Sequence, residues 1–548
     1  MNRNTMKLSY LIGALLCIFT IMSCQEDFLD QVPKESLTEE TVWTDPQGAV
    51  QFVNGIYGEM PSGFDRWYDG WAKGLYLLDG ASDDGDVAMG WTHSTLLQNA
   101  EFLPSYVPWG NMWGNYYSLI RKANVALENL DRLEEDPELA ERLKGEVYFL
   151  RGMMYHELLR LFGFRSEGAE PTGVPIITTA LGLEDDLQIP RSTYNEVVDL
   201  IVSDLDKAAE ILPAKGEIEA GRATSGAAMA FKGRVLLYAE KWQESANASN
   251  EVIGTNYSLF PDYKTLFLTK NNQEVIFAKK FLYPDKHHQS NAGGTQNAGW
   301  DVYNSPESFR GTSDGGWGGN LPTQNFVDSY DMVDGQPQDE SPLYDPENPW
   351  DNLDPRFEAT VVHNGATFRG REVELFVGGR DINFIHTGYF LRKFHNEDLV
   401  IYSQSSDQDW IFMRYAEVLL NYAEAQNEAT GPDGTVYDAI NSIRSRAGMP
   451  DLPQGLTKDS MREEIRNERR IELAFEEHRF FDIRRWRIAE DLLNGPLLGM
   501  KITRNEDGSF TYEKDEFEQR NFPYKLYVLP IPQDEIDKNP EAEQILGW

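Results

Sequence analysis

Four aromatic side chains lie in polar or glycine-rich stretches, where a buried core is not expected. Trp91 follows the acidic run at residues 83–86, and Tyr283 lies in FLYPDKHHQ. Trp300 and Trp317 lie in GGTQNAGWDVY and GTSDGGWGGN. A flat Trp or Tyr ring can pack against the C–H face of a pyranose, while short polar side chains hydrogen-bond to its hydroxyl groups. We therefore take these four residues as candidate carbohydrate contacts, with packing inside a loop or the core as the alternative for each.

Catalytic and metal-binding patterns are weak. His287 and His288 are adjacent, so their side chains point in different directions, and a solvated loop pair is the simpler interpretation. The run at residues 83–86 lacks the spaced oxygen ligands of an EF-hand, so at most adventitious calcium is expected. No phosphate-binding glycine loop, serine-hydrolase elbow or HExxH motif occurs. We expect no catalytic residue, no metal site and no cofactor. A surface glycoside hydrolase is an unfavoured alternative, because nothing selects a carboxylate pair among 89 acidic residues.

A charged motif at residues 465–486, IRNERRIELAFEEHRFFDIRRW, mixes ionic and aromatic side chains. Three acid–base pairs in it are three residues apart and could meet on a helix surface: Arg469 with Glu472, Glu476 with Arg479, and Asp482 with Arg485. The neighbouring Phe and Trp rings favour burial. We predict a partly buried ion-pair network that fixes helix register, and a catalytic acid is disfavoured because each carboxylate has an arginine to keep it ionised.

Helical periodicity indicates the elements that carry these residues. One apolar stripe consists of Leu143, Val147, Leu150, Met154, Leu158 and Leu161. Tyr148, Tyr155 and Phe162 lie off this stripe, which predicts a helix covered on more than one side. A second helix has a face of small residues, Gly226, Ala230 and Gly233, as in tetratricopeptide-like hairpins. A third helix is predicted over residues 412–429, with Phe412, Tyr415, Leu419 and Tyr422 on one stripe, and a fourth over 437–447.

The sequence divides into segments of different texture. Residues 1–23 are expected to be a lipoprotein signal peptide and residues 24–40 an acidic lipid tether. Residues 41–548 are expected to form one domain, with a helical part at 41–256, a loop-rich insertion with short strands at 257–406, and a helical part at 407–548. The predicted fold class is mainly α, a scaffold of tetratricopeptide-like hairpins that carries the insertion. Loops on a rigid scaffold are where binding residues concentrate.

The N-terminus resembles a bacterial lipoprotein leader. Arg3 and Lys7 precede an apolar run at residues 8–22, and Ser23 precedes Cys24. The resemblance implies cleavage before Cys24 and acylation of its sulfur; an ordinary signal peptide with a chance cysteine is the alternative. The acidic sequence QEDFLD that follows resembles the export signal of surface lipoproteins in Bacteroidetes-type bacteria. Cys17 is the one other cysteine, so no disulfide is expected in the mature chain.

The charge balance limits the partners. Fifty Lys and Arg face 89 Asp and Glu, for a formal charge of −39, which repels phosphate backbones and excludes nucleic acid as a general partner. The same charge favours neutral glycans over uronic-acid polymers. Arg369, Arg371 and Arg380 could nevertheless form a local positive site.

Several segments together resemble the SusD/RagB family of outer-membrane nutrient-binding lipoproteins. These are WGNYYSLIRKAN at 113–124, RYAEVLLNYAEA at 414–425, AINSIRSRAG at 439–448, the motif at 465–486, and Pro530-Ile531-Pro532. The resemblance implies a non-catalytic cell-surface lipoprotein held in the outer membrane by its lipid. It also implies a glycan ligand and a SusC-like TonB-dependent transporter as partner. The RagB side of the resemblance leaves peptide cargo open as the alternative.

Overall fold

The computed structural model describes residues 39–66, 76–89, 93–107, 112–165, 172–182, 184–283, 285, 288, 299–309, 316–400 and 405–548. Its N-terminal part is helical: α1 Glu39–Thr44, α2 Pro46–Glu59, α3 His93–Gln98, α4 Met112–Asn129, α5 Pro137–Phe162, α6 Tyr194–Ile211, α7 Ser225–Tyr238 and α8 Trp242–Asn250. One short strand, β1 Gly85–Val87, interrupts this series. The prediction of a mainly α fold is confirmed.

The middle of the chain contains short elements, none of them longer than five residues in the part that the structure describes. They are β2 Val275–Lys279, α9 Trp300–Tyr303, β3 Asn320–Pro322, α10 Gln324–Val327, α11 Arg356–Thr360, β4 Val361–Val362, β5 Thr367–Phe368, β6 Arg371–Glu372 and β7 Phe390–Leu391. The strands form two-stranded antiparallel pairs, β1 with β3, β4 with β7 and β5 with β6.

The C-terminal part returns to helices and ends with a long hairpin. Its elements are β8 Trp410–Arg414, α12 Tyr415–Thr430, α13 Gly434–Ala447, α14 Lys458–Glu472, α15 Arg479–Arg485, α16 Ala489–Leu493, β9 Pro496–Arg504, β10 Phe510–Gln519 and α17 Gln533–Lys538. Strand β8 pairs with β2, and β9 pairs with β10. The sequence did not predict the β9–β10 hairpin.

Local signals explain where the main helices begin and how they pack. The side chain of Asp136 accepts a hydrogen bond from the Leu139 amide at the start of α5, and Thr193 and Glu196 form a capping box at the start of α6. The predicted stripe of α5 is at most 2% exposed along its length, and Tyr155 and Phe162 on other faces are also buried. The prediction that α5 is covered on more than one side is confirmed.

The small-residue face of α7 allows the close packing that the sequence predicts. A Cβ atom on Gly233 would lie 2.5 Å from Ser249 Oγ of α8, and one on Gly226 would lie 2.6 Å from the Tyr257 ring. Three residues connect α7 to α8 and three connect α12 to α13, as in helical hairpins. The α7–α8 hairpin shares a hydrophobic core with the middle of the chain, whereas the α12–α13 hairpin packs mainly in a second cluster with Met461 and Ile465 of α14.

One helix boundary was predicted wrongly. Phe412 was assigned to the helix of residues 412–429, but it lies in β8, and α12 begins at Tyr415. Strand β8 is buried along its length and pairs with β2, where Phe412 stacks on Phe277 at 5.8 Å. A short apolar run before a helix does not distinguish a buried strand from a further helical turn.

Among the residues that the structure describes, no helix combines the length and the apolar character that crossing a membrane requires.

Candidate functional site

Trp317 lies in a glycine-rich loop that leads into β3. Its side chain is partly buried and packs against Tyr303 of α9, with ring centroids 5.2 Å apart and 32° between the ring planes. Its backbone amide donates to the Tyr303 carbonyl at 3.2 Å, and the Gly318 amide donates to the Ser305 carbonyl at 3.1 Å. The backbone hydrogen bonds therefore hold Trp317 against Tyr303, while part of its ring stays exposed to solvent.

The two glycines that follow Trp317 are required by space as well as by backbone conformation. Gly318 and Gly319 have φ of 79° and 51°. A Cβ on Gly319 would lie 1.8 Å from Asn304 Oδ1, which accepts hydrogen bonds from the Asn320 amide at 3.0 Å and from its Nδ2 at 2.8 Å. Glycine lets the loop approach α9 this closely.

The early part of the chain meets this loop through the β1–β3 pair. Val87 pairs with Asn320, and the Ala88 amide donates to the Gly319 carbonyl at 2.9 Å. Met89 packs against the same apolar cluster as Trp317. Trp91 itself lies outside the described residues, so its predicted sugar contact stays a prediction.

Trp300 has the core environment that the sequence left open as its alternative. Its side chain is 1% exposed and lies 5.1 Å from the Phe64 ring and 5.5 Å from the Phe394 ring, measured between centroids. Trp410 packs against the same two phenylalanines. A sugar could reach Trp300 only after this aromatic cluster opened, and the structure therefore does not bring it together with Trp317 on one surface.

Tyr283 is 40% exposed, and its backbone amide donates to Asp407 Oδ2 at 3.2 Å. The segment that contains Asp407 is connected to α9 through Asp301. Ser406 Oγ and Gln408 Nε2 each donate to Asp301 Oδ2 at 2.7 Å. Tyr283 and Trp317 therefore lie on different segments that converge on α9.

Asp301 is the charged centre of this region. It is fully buried, and Arg369 Nη2 and the Asn396 amide donate to its Oδ1 at 2.7 and 2.8 Å. Burial alone would raise the pKa of Asp301, but the nearby His395 and Arg369 and the bond from Gln408 lower it to about 2. A carboxylate held ionised in this way is an anchor for the surrounding loops.

The three arginines predicted to form a positive site are paired with acids in the structure. Arg369 binds Asp301, and Arg371 binds Asp381 through both terminal nitrogens at 2.7 and 2.9 Å. Arg380 lies 3.5 Å from Asp381 and from Glu374. Their charges are compensated locally, so the idea of a free positive patch there is wrong.

His288 is also placed differently from the expectation. It is 5% exposed, packs against Phe64 and Phe281 with ring centroids 4.5 Å from each, and its Nε2 lies 2.9 Å from the Gln408 carbonyl oxygen. Burial lowers its pKa to about 4. The interpretation as a solvated loop residue is wrong for His288, and His287 lies outside the described residues.

The acidic run at residues 83–86 faces arginines. Arg479 Nη2 and Nε each donate to Asp83 at 2.8 Å, and Arg470 Nε donates to Asp84 at 2.6 Å. Burial opposes ionisation of Asp83, but the charges of Arg479 and Arg470 hold its pKa below the usual range. Within the described residues no group of three or more His, Cys, Asp or Glu side chains is arranged to hold a metal ion.

The predicted ion-pair network exists, although two of its three pairings are different. Asp482 accepts from Arg485 at 2.8 Å as predicted, and it also accepts from Arg469 at 2.7 Å. Glu472 instead binds Arg414 at 2.6 Å and Arg356 at 2.9 Å, and it also contacts Arg446. Helix α14 ends at Glu472, so the residues after it no longer follow helical spacing. Acids and bases of separate segments meet there instead.

The remaining predicted pair, Glu476 with Arg479, is separated by the same break in the helix. Glu476 lies between the helices and binds Lys393 at 2.6 Å and Arg414 at 2.8 Å, while Arg479 turns to Asp83. Glu477 has a φ of 62°, so the chain reverses before α15 begins. Sequence spacing could not reveal this reversal, and it assigned local partners where the partners are distant in sequence.

This network positions the candidate site. Arg470 and Arg479 hold Asp83 and Asp84 immediately before β1, and Thr323 Oγ1, immediately after β3, donates to the Asp83 carbonyl at 2.6 Å. The β1–β3 pair then fixes the loop of Trp317. The charged motif therefore positions the candidate site and does not contact a ligand there, because its carboxylates form ion pairs away from the surface.

Two family models match separate parts of this chain. A family model described as starch-binding and associating with the outer membrane matches residues 27–237, and the SusD family model matches residues 273–548. These matches define the class, a carbohydrate-binding family associated with the outer membrane. The chain belongs to the SusD family.

Individual relatives agree with this assignment. A SusD-like protein of Formosa agariphila is 25% identical over 98% of both chains. The crystal structure of a SusD-like protein from Bacteroides fragilis is 30% identical with a TM-score of 0.79, over 94% of this chain and 100% of that one. A SusD-like carbohydrate-binding protein from the same species is 26% identical with a TM-score of 0.78, over 92% of this chain and 100% of that one.

Proposed function

We propose that this protein is a non-catalytic cell-surface lipoprotein that captures oligosaccharide or polysaccharide at the loop of Trp317 and delivers it to a TonB-dependent outer-membrane transporter. The observation that carries the proposal is the position of Trp317, partly exposed in a loop and backed by the Tyr303 ring. The family assignment and the carbohydrate-binding relative from Bacteroides fragilis support the same ligand class.

The geometry of Trp317 suits sugar binding. Tyr303 supports the indole from the protein side, and the backbone amides of Trp317 and Gly318 donate hydrogen bonds that hold this part of the loop against α9, which lowers the entropic cost of binding a sugar. Stacking on an aromatic ring uses the apolar C–H face of a neutral pyranose and needs no charge on the ligand. This agrees with a protein whose net charge is −39.

Two carboxylates of this region, Asp86 and Asp301, are unsuited to act as the acid of a glycosidase. Burial alone would raise the pKa of Asp86, but its bonds with His386 at 2.6 Å and Arg520 at 3.3 Å lower it, as the partners of Asp301 do for that residue. A glycosidase needs one carboxylic acid with a raised pKa to protonate the leaving group. Neither Asp86 nor Asp301 meets this requirement.

The anchor and the partner complete the proposal. Acylation at Cys24 would hold the protein on the outer membrane, and the acidic tether would let it cover and uncover the transporter. We expect Cys24→Ala to move the protein from the membrane fraction to the soluble fraction. We also expect the acylated protein to co-purify with a TonB-dependent transporter. If Cys24→Ala stays in the membrane fraction, the lipid anchor is contradicted. If the acylated protein purifies without a transporter, the partner is contradicted.

The test of glycan capture is electrophoresis of the chain from Gln25 onward on native gels cast with a panel of neutral and acidic polysaccharides. We expect one glycan to slow migration without release of reducing ends. Trp317→Ala should abolish the retardation, and Trp317→Phe should keep part of it because an aromatic face remains.

The matched control is Trp242→Ala, since Trp242 is also partly buried but lies on α8. Retardation that survives Trp317→Ala would remove Trp317 from the site. Release of reducing ends would contradict the non-catalytic role. Absence of retardation on every glycan would instead favour peptide cargo or a site shared with the transporter.

A further inference from the structure

A second concave site lies away from the loop of Trp317. It is a pocket of about 540 Å³ between the C-terminal ends of α5 and α7, the first residue of α6, α15 and residues 524–527. Its lining is unusually rich in basic and aromatic side chains, which include Arg160, Tyr238, Phe481, Arg484, Arg487 and Tyr527. In a chain with a net charge of −39, this local composition calls for an explanation.

Arg484 is a buried cation without a described carboxylate partner. Its guanidinium lies 3.5 Å from the Phe480 ring centroid, Nη1 donates to the Phe480 carbonyl at 2.8 Å, and Nε donates to the Leu526 carbonyl at 3.2 Å. It forms no ion pair with a carboxylate of the described residues, and burial lowers its pKa to about 9. Arg356 and Arg414, which are also buried, each bind two or more carboxylates.

Three further groups in the pocket can donate hydrogen bonds. The Tyr238 hydroxyl and Arg160 Nε are buried and have no hydrogen-bond partner among the described residues. Arg487 is exposed, lies over the Tyr527 ring at 4.8 Å, and forms no ion pair with a described carboxylate. The lining contains two acids: Glu240 is paired with Arg165 at 3.1 Å, and Glu490 is exposed to solvent. Unsatisfied donors and an uncompensated buried charge indicate a ligand that brings acceptor atoms and negative charge.

We propose that this pocket binds the anionic group, carboxylate or sulfate, of an acidic sugar. Guanidinium groups bind planar carboxylates and sulfate oxygens strongly, and the surrounding rings can pack on the sugar. The volume is within the range of about 300–1,000 Å³ typical of small-molecule sites. This site does not depend on the Trp317 site, and either can fail without the other.

The test is ligand-detected NMR on the chain from Gln25 onward, which includes every described residue. The probes are glucuronate, glucose 6-sulfate and glucose. We expect at least one acidic sugar to bind at least tenfold more tightly than glucose, and the tighter of the two identifies the anionic group. Equal binding of all three would overturn the proposal.

Two variants localise the binding. Tyr238→Phe removes the unpartnered hydroxyl and keeps the ring. It should therefore preserve the melting temperature while weakening the binding of the acidic sugar at least fivefold. Arg487→Gln should weaken it similarly, whereas Arg132→Gln, an equal charge change at an exposed site, should not. Binding that neither pocket variant weakens would overturn the proposal.

A carboxylate of the chain itself is the competing occupant, because Glu167 and Glu170 follow Arg165 in the sequence and lie outside the described residues. The double variant Glu167→Gln/Glu170→Gln distinguishes the two. Equal binding by the wild type and the double variant supports the proposal. Binding by the double variant alone would overturn it and assign the pocket to an internal carboxylate.

Discussion

Neutralising the buried carboxylate of Glu472 should lower the free energy of unfolding strongly. It is fully buried at the end of α14 and accepts hydrogen bonds from Arg356 at 2.9 Å and from Arg414 at 2.6 Å, with Arg446 also in contact. The substitution Glu472→Gln keeps the shape of the side chain and removes its charge. Three arginines then share a buried site that has lost one of its carboxylates.

The expected loss follows from the burial of the charges. Removing one partner of a buried ion pair costs about 3–5 kcal/mol, because the remaining charge is desolvated without compensation. The matched control is Glu463→Gln on the same helix, where the carboxylate is 73% exposed and lies 3.5 Å from Arg466. An exposed pair contributes about 0–1 kcal/mol. Urea denaturation followed by tryptophan fluorescence should therefore show a large shift for Glu472→Gln and almost none for Glu463→Gln.

The pH dependence gives an independent check on the same residue. Burial alone would raise the pKa of Glu472, but the charges of Arg446, Arg414 and Arg356 hold it well below its usual value of 4.5. A carboxyl with a lowered folded-state pKa stabilises the fold fully above its unfolded pKa, and this contribution is lost as the pH falls. The difference in unfolding free energy between the wild type and Glu472→Gln should therefore narrow below about pH 4.5. Equal shifts for both glutamate variants, or a gap that does not change with pH, would refute the reasoning.

Three further predictions concern packing and capping, and each is checked by the urea midpoint. Trp300→Ala should destabilise the fold by about 3–5 kcal/mol, the cost of emptying a core aromatic site, and a surface role for Trp300 would leave the midpoint unchanged. Gly233→Ala should cost about 1–3 kcal/mol because its Cβ would lie 2.5 Å from Ser249 Oγ, whereas Gly434→Ala, with open space around it, should not destabilise. Thr193→Ala should cost about 1 kcal/mol through loss of the capping box, and no change would show that α6 does not depend on its cap.

The helical scaffold could be predicted because its signals are local. The stripe of α5 and the small face of α7 depend on residues three or four positions apart, and helix geometry converts that spacing directly into shared faces. The beginning of α12 could not be located in the same way. The side chains of residues 412–414 fit a helix or a strand equally well. The strand forms because β2, more than 130 residues earlier in the sequence, offers a buried pairing partner.

The composition of the loops suggested candidate residues but could not give their geometry. Glycine-rich, polar surroundings made Trp317 a candidate, and Trp300 has a similar sequence setting but lies in the core. The difference arises from Phe64 and Phe394, which are distant in sequence and cover the Trp300 ring. The basic pocket carried no sequence signal, because its lining comes from five separate segments.

The long charged motif illustrates how a structural device can resemble a functional one. Most of its acids are buried in ion pairs, and Arg479 and Arg470 reach Asp83 and Asp84 beside β1. Strand β1 in turn holds β3 and the loop of Trp317 through a register of three residue pairs. A substitution in the motif that leaves the fold intact should therefore still loosen the loop of Trp317. The position of this ring depends on ion pairs between residues almost 400 positions apart in the chain.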